Sequence, residues 1–323
     1  MKSVRLFLVA VVSVMALMSV GFAADTYPSR PIELVVPFGP GGGSDIFARN
    51  FVKYMQEEKL LPVVFNVVNK PGGSGVVGYN YVAMKKADPY TMATVSSSFW
   101  TTPLVGQSPV SYRDFTPVAG VGYDTFMLIT RAQNPYQNLQ DLIAAAKKEP
   151  GKIKVSGPAI AADDAVVTSM LERAAGIKLN FITFGGSGPA LIAALGGHVD
   201  VTWSNPAEIL PQLDAKKVRV LAVSSSKRMA KMPEVPTLKE LGYNVEFYQF
   251  RGLVMPKDVP AEAHKTMANA VSKLCNSKLW QSEYVDKNVI TGVCQNPEEF
   301  GKAIEATNDL YKRVFTDLGV IKK

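Results

Sequence analysis

Cysteine and histidine are scarce in this chain: two of each occur among its 323 residues. Two cysteines cannot build a disulfide-rich scaffold, and no grouping of His, Cys, Asp and Glu has the spacing of a metal site. Basic residues are scattered rather than gathered in a run, so nucleic-acid binding is not indicated. Beyond the first 23 residues, no apolar run is long enough to span a bilayer. These absences leave a globular protein that needs neither a metal nor another cofactor.

The first 23 residues have the pattern of a secretory signal peptide. Lys2 and Arg5 form a basic start, an almost wholly apolar segment covers residues 6–20, and small residues precede a cleavage point after Ala23. An uncleaved N-terminal anchor is the alternative. We expect removal of residues 1–23 and export of the remainder.

Both cysteines lie near the end of the chain. In an exported protein this placement favours a disulfide between Cys275 and Cys294. Two separate buried thiols are the alternative.

Short apolar runs alternate with helical patterns along the whole chain, which predicts an α/β fold with largely parallel sheets. The length suits two domains. We predict that residues 24–124 and 253–323 form domain 1 and that residues 125–252 form domain 2, inserted into it. A ligand cleft is expected between them. The segment from Pro260 onward is predicted to be helical.

A glycine-rich segment joins the first predicted strand, residues 32–36, to the first predicted helix. Three consecutive glycines, Gly41 to Gly43, allow positive φ and a close approach of the backbone to a ligand. Ser44 and Asp45 are good residues for a helix start. Free N–H groups at a helix N-terminus favour an anion, so the segment predicts an anion site. An ordinary tight turn is the alternative.

Other glycine clusters also follow predicted strands. Residues 73–78 match G-x-G-x-x-G, but the acidic residue expected after the next strand is missing, so a dinucleotide cofactor is not expected. Residues 156–159 and 184–189 would supply domain 2 with loops of its own. Plain turns at helix entries are the alternative for both.

A catalytic centre is difficult to assemble from this sequence. There is no G-x-S-x-G motif, and His198 and His264 lie in positions typical of structural or solvated residues. Asp163 and Asp164 form an acidic pair at a predicted helix start, where capping accounts for them. We therefore expect no enzymatic activity, with a secreted hydrolase as the alternative.

An ordered series of motifs resembles the substrate-binding receptors of tripartite tricarboxylate transporters, also called Bug proteins. The likeness covers nearly the whole mature chain. Its motifs are Tyr27-Pro28-Ser29-Arg30-Pro31-Ile32, the glycine loop before Asp45, Asn69-Lys70-Pro71-Gly72-Gly73, Phe115-Thr116-Pro117-Val118, Gly185 to Ala190, Leu195 to Asp200, Val218 to Val223 and Val235-Pro236-Thr237-Leu238. The chain departs from the family pattern at Pro89 and at Trp203-Ser204-Asn205.

The resemblance implies a type II periplasmic binding-protein fold, with two α/β domains that close on a small carboxylate. It also implies a monomer that delivers this ligand to a membrane permease of one large and one small subunit. Loops of both domains would hold one carboxylate, which maps onto Phe38, Gly41, Gly42, Gly43, Ser44, Asp45, Ser156, Gly157, Pro158, Ala159, Gly185, Gly186 and Ser187. Positions at strand ends add candidates for ligand choice, namely Ser97, Ser98, Asp163, Asn205 and Arg251.

Overall fold

The structure is a computed structural model that describes residues 27–159, 162–229, 231–317 and 319–321. The predicted signal peptide, residues 1–23, lies outside the described residues. Within them, no helix combines the length and the apolar character needed to cross a bilayer.

The first sheet has six strands in the order β11-β4-β10-β3-β1-β2. Its strands are β1 (Ile32–Val36), β2 (Phe65–Asn69), β3 (Thr91–Val95), β4 (Phe115–Thr125), β10 (Tyr248–Pro256) and β11 (Thr291–Gln295). Strand β1 is apolar and almost fully buried, and it pairs in parallel with β2 and β3. Strands β4 and β10 are antiparallel along their whole lengths.

The second sheet has five strands in the order β7-β6-β8-β5-β9. They are β5 (Met127–Arg131), β6 (Lys154–Gly157), β7 (Asn180–Thr183), β8 (Val201–Ser204) and β9 (Val218–Val223). Parallel pairs join β6 to β7 and β8, whereas β5 runs antiparallel to its neighbours. The two sheets exchange the chain close to residues 125 and 248, and the exact domain boundaries at 124 and 252 stay a prediction.

Helices connect the strands of both sheets. They are α1 (Gly43–Glu57), α2 (Val76–Ala83), α3 (Ser98–Leu104), α4 (Leu139–Lys148), α5 (Asp163–Ala175), α6 (Ser187–Leu195), α7 (Pro206–Asp214), α8 (Ala261–Cys275), α9 (Lys278–Trp280) and α10 (Pro297–Asp317). Short 3₁₀ turns cover Gly73–Gly75 and Tyr112–Asp114, and a π-helical turn covers Gln281–Asp286.

Ser224 joins the two places where the chain passes between the sheets. Its backbone exchanges hydrogen bonds with Phe126 O and Phe247 N, at 2.8 and 2.9 Å. Its hydroxyl donates to Phe247 O at 2.6 Å and accepts from Phe126 N at 3.0 Å. A single buried serine therefore ties both crossing points together.

Helix α10 packs against the first sheet and reaches the start of α5 in the other half of the molecule. Its buried residues Phe300, Ile304, Tyr311 and Phe315 recur at the spacing of one helix face. Trp100, on α3, donates from its indole N–H to Ile304 O at 2.9 Å. The Tyr311 hydroxyl donates to Asp163, at the start of α5, at 2.5 Å. The C-terminal helix thus fastens the two halves of the molecule to each other.

The C-terminal segment is not wholly helical, so that prediction was wrong at one place. Thr291–Gln295 forms β11, which pairs antiparallel with β4. The backbone hydrogen bonds that β4 offers at the sheet edge override the weak helical pattern of these residues. Cys294 of this strand forms the predicted disulfide with Cys275 at the end of α8, with 5.8 Å between their Cα atoms.

Candidate ligand-binding site

A narrow cavity, with about 30 Å³ of space open to the centre of a water molecule, lies where strands of both sheets end. It takes residues from the loops after β1, β3, β6 and β8, so the carboxyl ends of parallel strands face it from two sides. Its lining residues are Phe38, Gly39, Gly42, Gly43, Ser44, Ser96, Ser97, Pro158, Ala162, Asp164, Ser187, Asn205 and Gln249.

A wider cavity adjoins the first, because both share Phe38 and Pro158. The G-x-G-x-x-G segment contributes Gly73 to Gly75 to its wall. Those residues form a 3₁₀ turn with left-handed backbone at Ser74 (φ 58°) rather than the helix start of a nucleotide-binding loop.

The structure brings together part of the predicted site. The cavity is lined by Phe38, Gly42, Gly43, Ser44, Ser97, Pro158, Ser187 and Asn205, and its wider neighbour adds Ala159 and Gly185. The remaining predicted residues are not part of either lining. Gly41 is exposed, and the others lie buried behind the walls, namely Asp45, Ser98, Ser156, Gly157, Asp163, Gly186 and Arg251. For all of them, a direct contact with ligand stays a prediction.

Several of the residues behind the walls have structural partners of their own. Ser98 lies 3.3 Å from the Ser96 hydroxyl, and Ser156 donates to Ala190 O at 2.9 Å. Gly157 has no room for a side chain, because a Cβ there would lie 2.9 Å from Cβ of Asp164. Gly186 precedes α6 in extended backbone. These residues shape the loops that reach the cavity.

Asp45 closes the loop after β1 on itself. Its Oδ2 accepts from Gly41 N at 3.0 Å and from Arg49 Nε at 2.9 Å, and its Oδ1 accepts from Asn69 Nδ2 at 2.9 Å. The same Asn69 amide reaches Phe38 O at 3.0 Å. Burial opposes ionisation of Asp45, but these hydrogen bonds together outweigh it and lower its pKa.

The three glycines of this loop differ in backbone conformation and in the space around them. Positive φ occurs at Gly41 (84°), whereas Gly42 is extended and Gly43 has no left-handed backbone. The expectation of positive φ at Gly42 and Gly43 was therefore wrong. Gly43 is required for space: a Cβ would overlap Nη2 of Arg251 and lie 2.8 Å from Oδ1 of Asn205.

A carboxylate of the protein already occupies the N-terminus of α1. Oε1 of Glu208, on α7, accepts from Gly43 N at 2.6 Å, and its Oε2 accepts from Asn205 N at 3.2 Å. Burial raises the pKa of Glu208 even though both backbone donors favour its ionised form. The N-terminus of α1 thus receives a carboxyl group from helix α7 of the other half of the molecule, and binding of a ligand anion there stays a prediction.

Arg251 lies fully buried between the two sheets. Its Nε donates to Asp124 Oδ2 at 2.6 Å, Nη2 pairs with the same oxygen, and Nη2 donates to Asn205 Oδ1 at 3.0 Å. Burial raises the pKa of Asp124, and Arg251 counteracts that rise. Nε and Nη2 are thus committed to these partners, whereas the buried Nη1 has no hydrogen-bond partner among the described residues.

Asp163 links the first turn of α5 to residues of the first sheet and of α10. It accepts from the Tyr311 hydroxyl at 2.5 Å and from Gln249 Nε2 at 2.8 Å, and its own N–H donates to Ser97 Oγ at 3.2 Å. Burial raises its pKa to about 6, while these donors pull the value down. The capping explanation for Asp163 was wrong, because its carboxylate bonds across the cleft instead.

Asp164 differs from its neighbour, because it lines the cavity and is 4% exposed. Burial, followed by the nearby charges of Glu208 and Asp163, raises its pKa well above the ordinary value. The hydrogen bond that opposes this rise comes from its own backbone amide. The cavity therefore has an acidic wall.

The sequence analysis missed some of the residues that shape the cavity. Glu208 stands three residues after Asn205, a spacing typical of a capping box, and that signal could have placed a helix start here. Gln249 and Ser96 lie at strand ends beside predicted residues. Nothing in the local pattern indicates that Asp164 would face the cavity, because that depends on how the two sheets meet.

Fold and cleft together define the class: a two-domain periplasmic binding protein with its cavity between two α/β sheets. Residues 47–320 match the profile of the tripartite tricarboxylate transporter family receptor. Protein BugT of Bordetella pertussis is 37% identical over 228 residues, covering 68% of each chain. The chain belongs to the tripartite tricarboxylate transporter receptor family, and the resemblance inferred from its motifs is confirmed.

Further relatives agree over longer stretches. A protein from the gbd 5′ region of Cupriavidus necator is 29% identical over 302 residues, covering 93% of this chain and 90% of its own. The structure of periplasmic binding protein BugD matches with a TM-score of 0.86 at 28% identity, covering 92% of this chain and 100% of BugD. An R. palustris protein solved with adipate matches with a TM-score of 0.85 at 25% identity, covering 91% and 98%.

Proposed function

We propose that this protein captures a small carboxylate in the cleft between its two domains. The cavity at the carboxyl ends of strands from both sheets is the observation that carries the proposal. Ser44, Ser97 and Ser187 line it from opposite sides and can each donate a hydroxyl hydrogen bond to a carboxylate. The adipate in the R. palustris relative supports the same chemistry.

Delivery of the captured ligand completes the proposed role. Membership of the receptor family supports a membrane permease of one large and one small subunit as the partner. The predicted signal peptide over residues 1–23 would export the chain to the periplasm, where a monomer would meet that permease.

Binding can be tested with protein freed of ligand by unfolding and refolding. Calorimetric titration with mono-, di- and tricarboxylates and aromatic carboxylates should yield at least one saturable ligand. The variant Gly42→Phe should abolish that binding, because its ring must enter the cavity beside Ser187, 3.5 Å from a Cβ at residue 42. Gly42→Ala is the matched control and should bind normally, since its Cβ meets only ordinary contacts. Failure of every carboxylate, or normal binding by a folded Gly42→Phe protein, would overturn the proposal.

A further inference from the structure

Asp164 is a buried carboxyl without an external donor. It faces the cavity from the first turn of α5 and is 4% exposed. Within the described part of the chain, the hydrogen bond to its carboxylate comes from its own amide, and no other residue donates one. An isolated carboxylate in such a site is costly unless a partner arrives from outside the protein.

The other buried acids around the cavity are already compensated. Asp124 pairs with Arg251, and Glu208 accepts two backbone N–H groups. Asp163 accepts from Tyr311 and Gln249. Arg251 bonds to Asp124 and Asn205 through Nε and Nη2, and no hydrogen bond joins it to Asp164 among the described residues. Asp164 is therefore the buried acid beside the cavity that has no partner from another described residue, and burial keeps it protonated until a cation binds.

We infer that the ligand carries an ammonium group beside its carboxylate and that Asp164 binds this ammonium. This inference rests on the proposed function, since it refines which carboxylates the cleft accepts. A small zwitterion supplies the missing positive charge, whereas a plain di- or tricarboxylate adds a further anion next to Asp164 and Glu208.

The rest of the cavity suits the other end of a zwitterion. Ser44 and Ser187 lie on its wall together with Ser97, and their hydroxyls can donate to the ligand carboxylate. Glu208 holds the backbone N–H of Gly43, so this donor at the N-terminus of α1 is not open to a second anion. The ligand carboxylate is therefore expected among the serine hydroxyls, opposite Asp164.

Matched pairs of probes test the inference in the wild-type protein. Calorimetry would compare L-glutamate with glutarate, L-aspartate with succinate, 4-aminobutyrate with butyrate and an aromatic amino acid with its deaminated analogue. We expect the amino member of the best-binding pair to be favoured about 10- to 100-fold, the range of a charge-assisted hydrogen bond. Because the carboxyl of Asp164 has a raised pKa, that binding should also release a proton, visible as a dependence of the heat on buffer ionisation.

Variants assign the effect to one residue. Asp164→Asn should weaken the amino member more than the plain carboxylate and so remove the preference. Asp214→Asn, at the exposed end of α7, removes an equal charge away from the cavity and should keep the preference. Glu208→Gln tests the neighbouring carboxyl, and loss of the preference in that variant but not in Asp164→Asn would overturn the assignment to Asp164.

The outcomes separate this inference from the proposed function. Saturable binding of plain carboxylates with no preference for the amino member would overturn the inference and leave carboxylate capture intact. Failure of both members of every pair would overturn carboxylate capture itself. If Asp164→Asn does not fold, the wild-type preference and its proton release decide the question alone, and absence of either counts against the inference.

Discussion

The first turns of α1 and α5 hold corresponding positions on the two sides of the cleft, and each buries an aspartate. Asp45 on α1 accepts hydrogen bonds from Gly41, Arg49 and Asn69, all within the same half of the molecule. Asp164 on α5 faces the cavity, and the hydrogen bond to its carboxyl comes from its own backbone amide. Burial acts on both, but only the donors around Asp45 outweigh it, so the two pKa values move in opposite directions.

We call the loop after β1 the preassembled wall of the cavity and the start of α5 its unfinished wall. The loop after β1 is held by its own hydrogen bonds before any ligand arrives. The start of α5 takes its donors from across the cleft, through Tyr311 and Gln249 on Asp163. A ligand would therefore meet a rigid surface on one side and would help to complete the other.

The largest expected effect comes from breaking the buried ion pair between Arg251 and Asp124. Arg251→Met should lower the free energy of unfolding by about 3–5 kcal/mol, because Asp124 is left buried without its counter-charge. Arg228→Met is the control, since its pair with Glu240 is solvent-exposed and worth at most about 1 kcal/mol. Urea denaturation of both variants measures the contrast. Equal losses would mean that Arg251 is not a structural residue.

Gly43 tests whether the preassembled wall tolerates any side chain. Gly43→Ala should weaken ligand binding more than about a hundredfold, because its Cβ displaces the Arg251 guanidinium and the Asn205 amide oxygen. Gly301→Ala on α10 is the control: its Cβ would lie 3.7 Å from Pro117, an ordinary contact outside the cavity lining, so this variant should bind like wild type. Calorimetry on both proteins checks this. A folded Gly43→Ala protein of normal affinity would contradict the close packing of residue 43 against Arg251 and Asn205.

Loosening the loop itself should have a smaller effect. Asp45→Asn should cost about 1.5–3 kcal/mol, the value of a hydrogen bond to a charged group. Because the folded state lowers the pKa of Asp45, its contribution is present above the ordinary value of 3.8 and is lost as the pH falls below it. The variant should thus approach wild-type stability in acid. A constant difference between the two proteins from neutral pH to pH 3 would refute this account.

Asp163 should show the reverse dependence on pH. Its pKa is raised from 3.8 to about 6, so in this window the unfolded state binds fewer protons and the stability contributed by this group falls as the pH rises. Asp163→Asn removes that slope. The measurement is the difference in unfolding free energy between wild type and variant at several pH values from 4 to 7. A flat difference would mean that Asp163 ionises normally.

Periodicity and glycine placement were enough to predict the class of fold. Apolar runs such as Ile32–Val36 mark buried parallel strands, and the glycine segment after this strand marks a loop at the cleft. The disulfide was predicted from the position of its cysteines in a chain that is expected to be exported. Such features are local, or depend on composition, and so are visible in one sequence.

The acidic wall could not be predicted in the same way. Glu208 meets Gly43 across 165 positions of sequence, and Asp163 meets Tyr311 across 148. These contacts depend on how the two sheets are oriented after the chain passes Ser224. Strand β11 was missed for a related reason, since its residues become a strand only because β4 offers them a free edge.

A crystal structure with the tightest-binding carboxylate tests the central claim most directly. The account predicts the ligand in the cavity between Gly43 and Asp164, with its carboxylate within hydrogen-bond distance of the Ser44, Ser97 or Ser187 hydroxyl. A ligand seated elsewhere, such as the wider groove between α5 and Phe315 of α10, would contradict it.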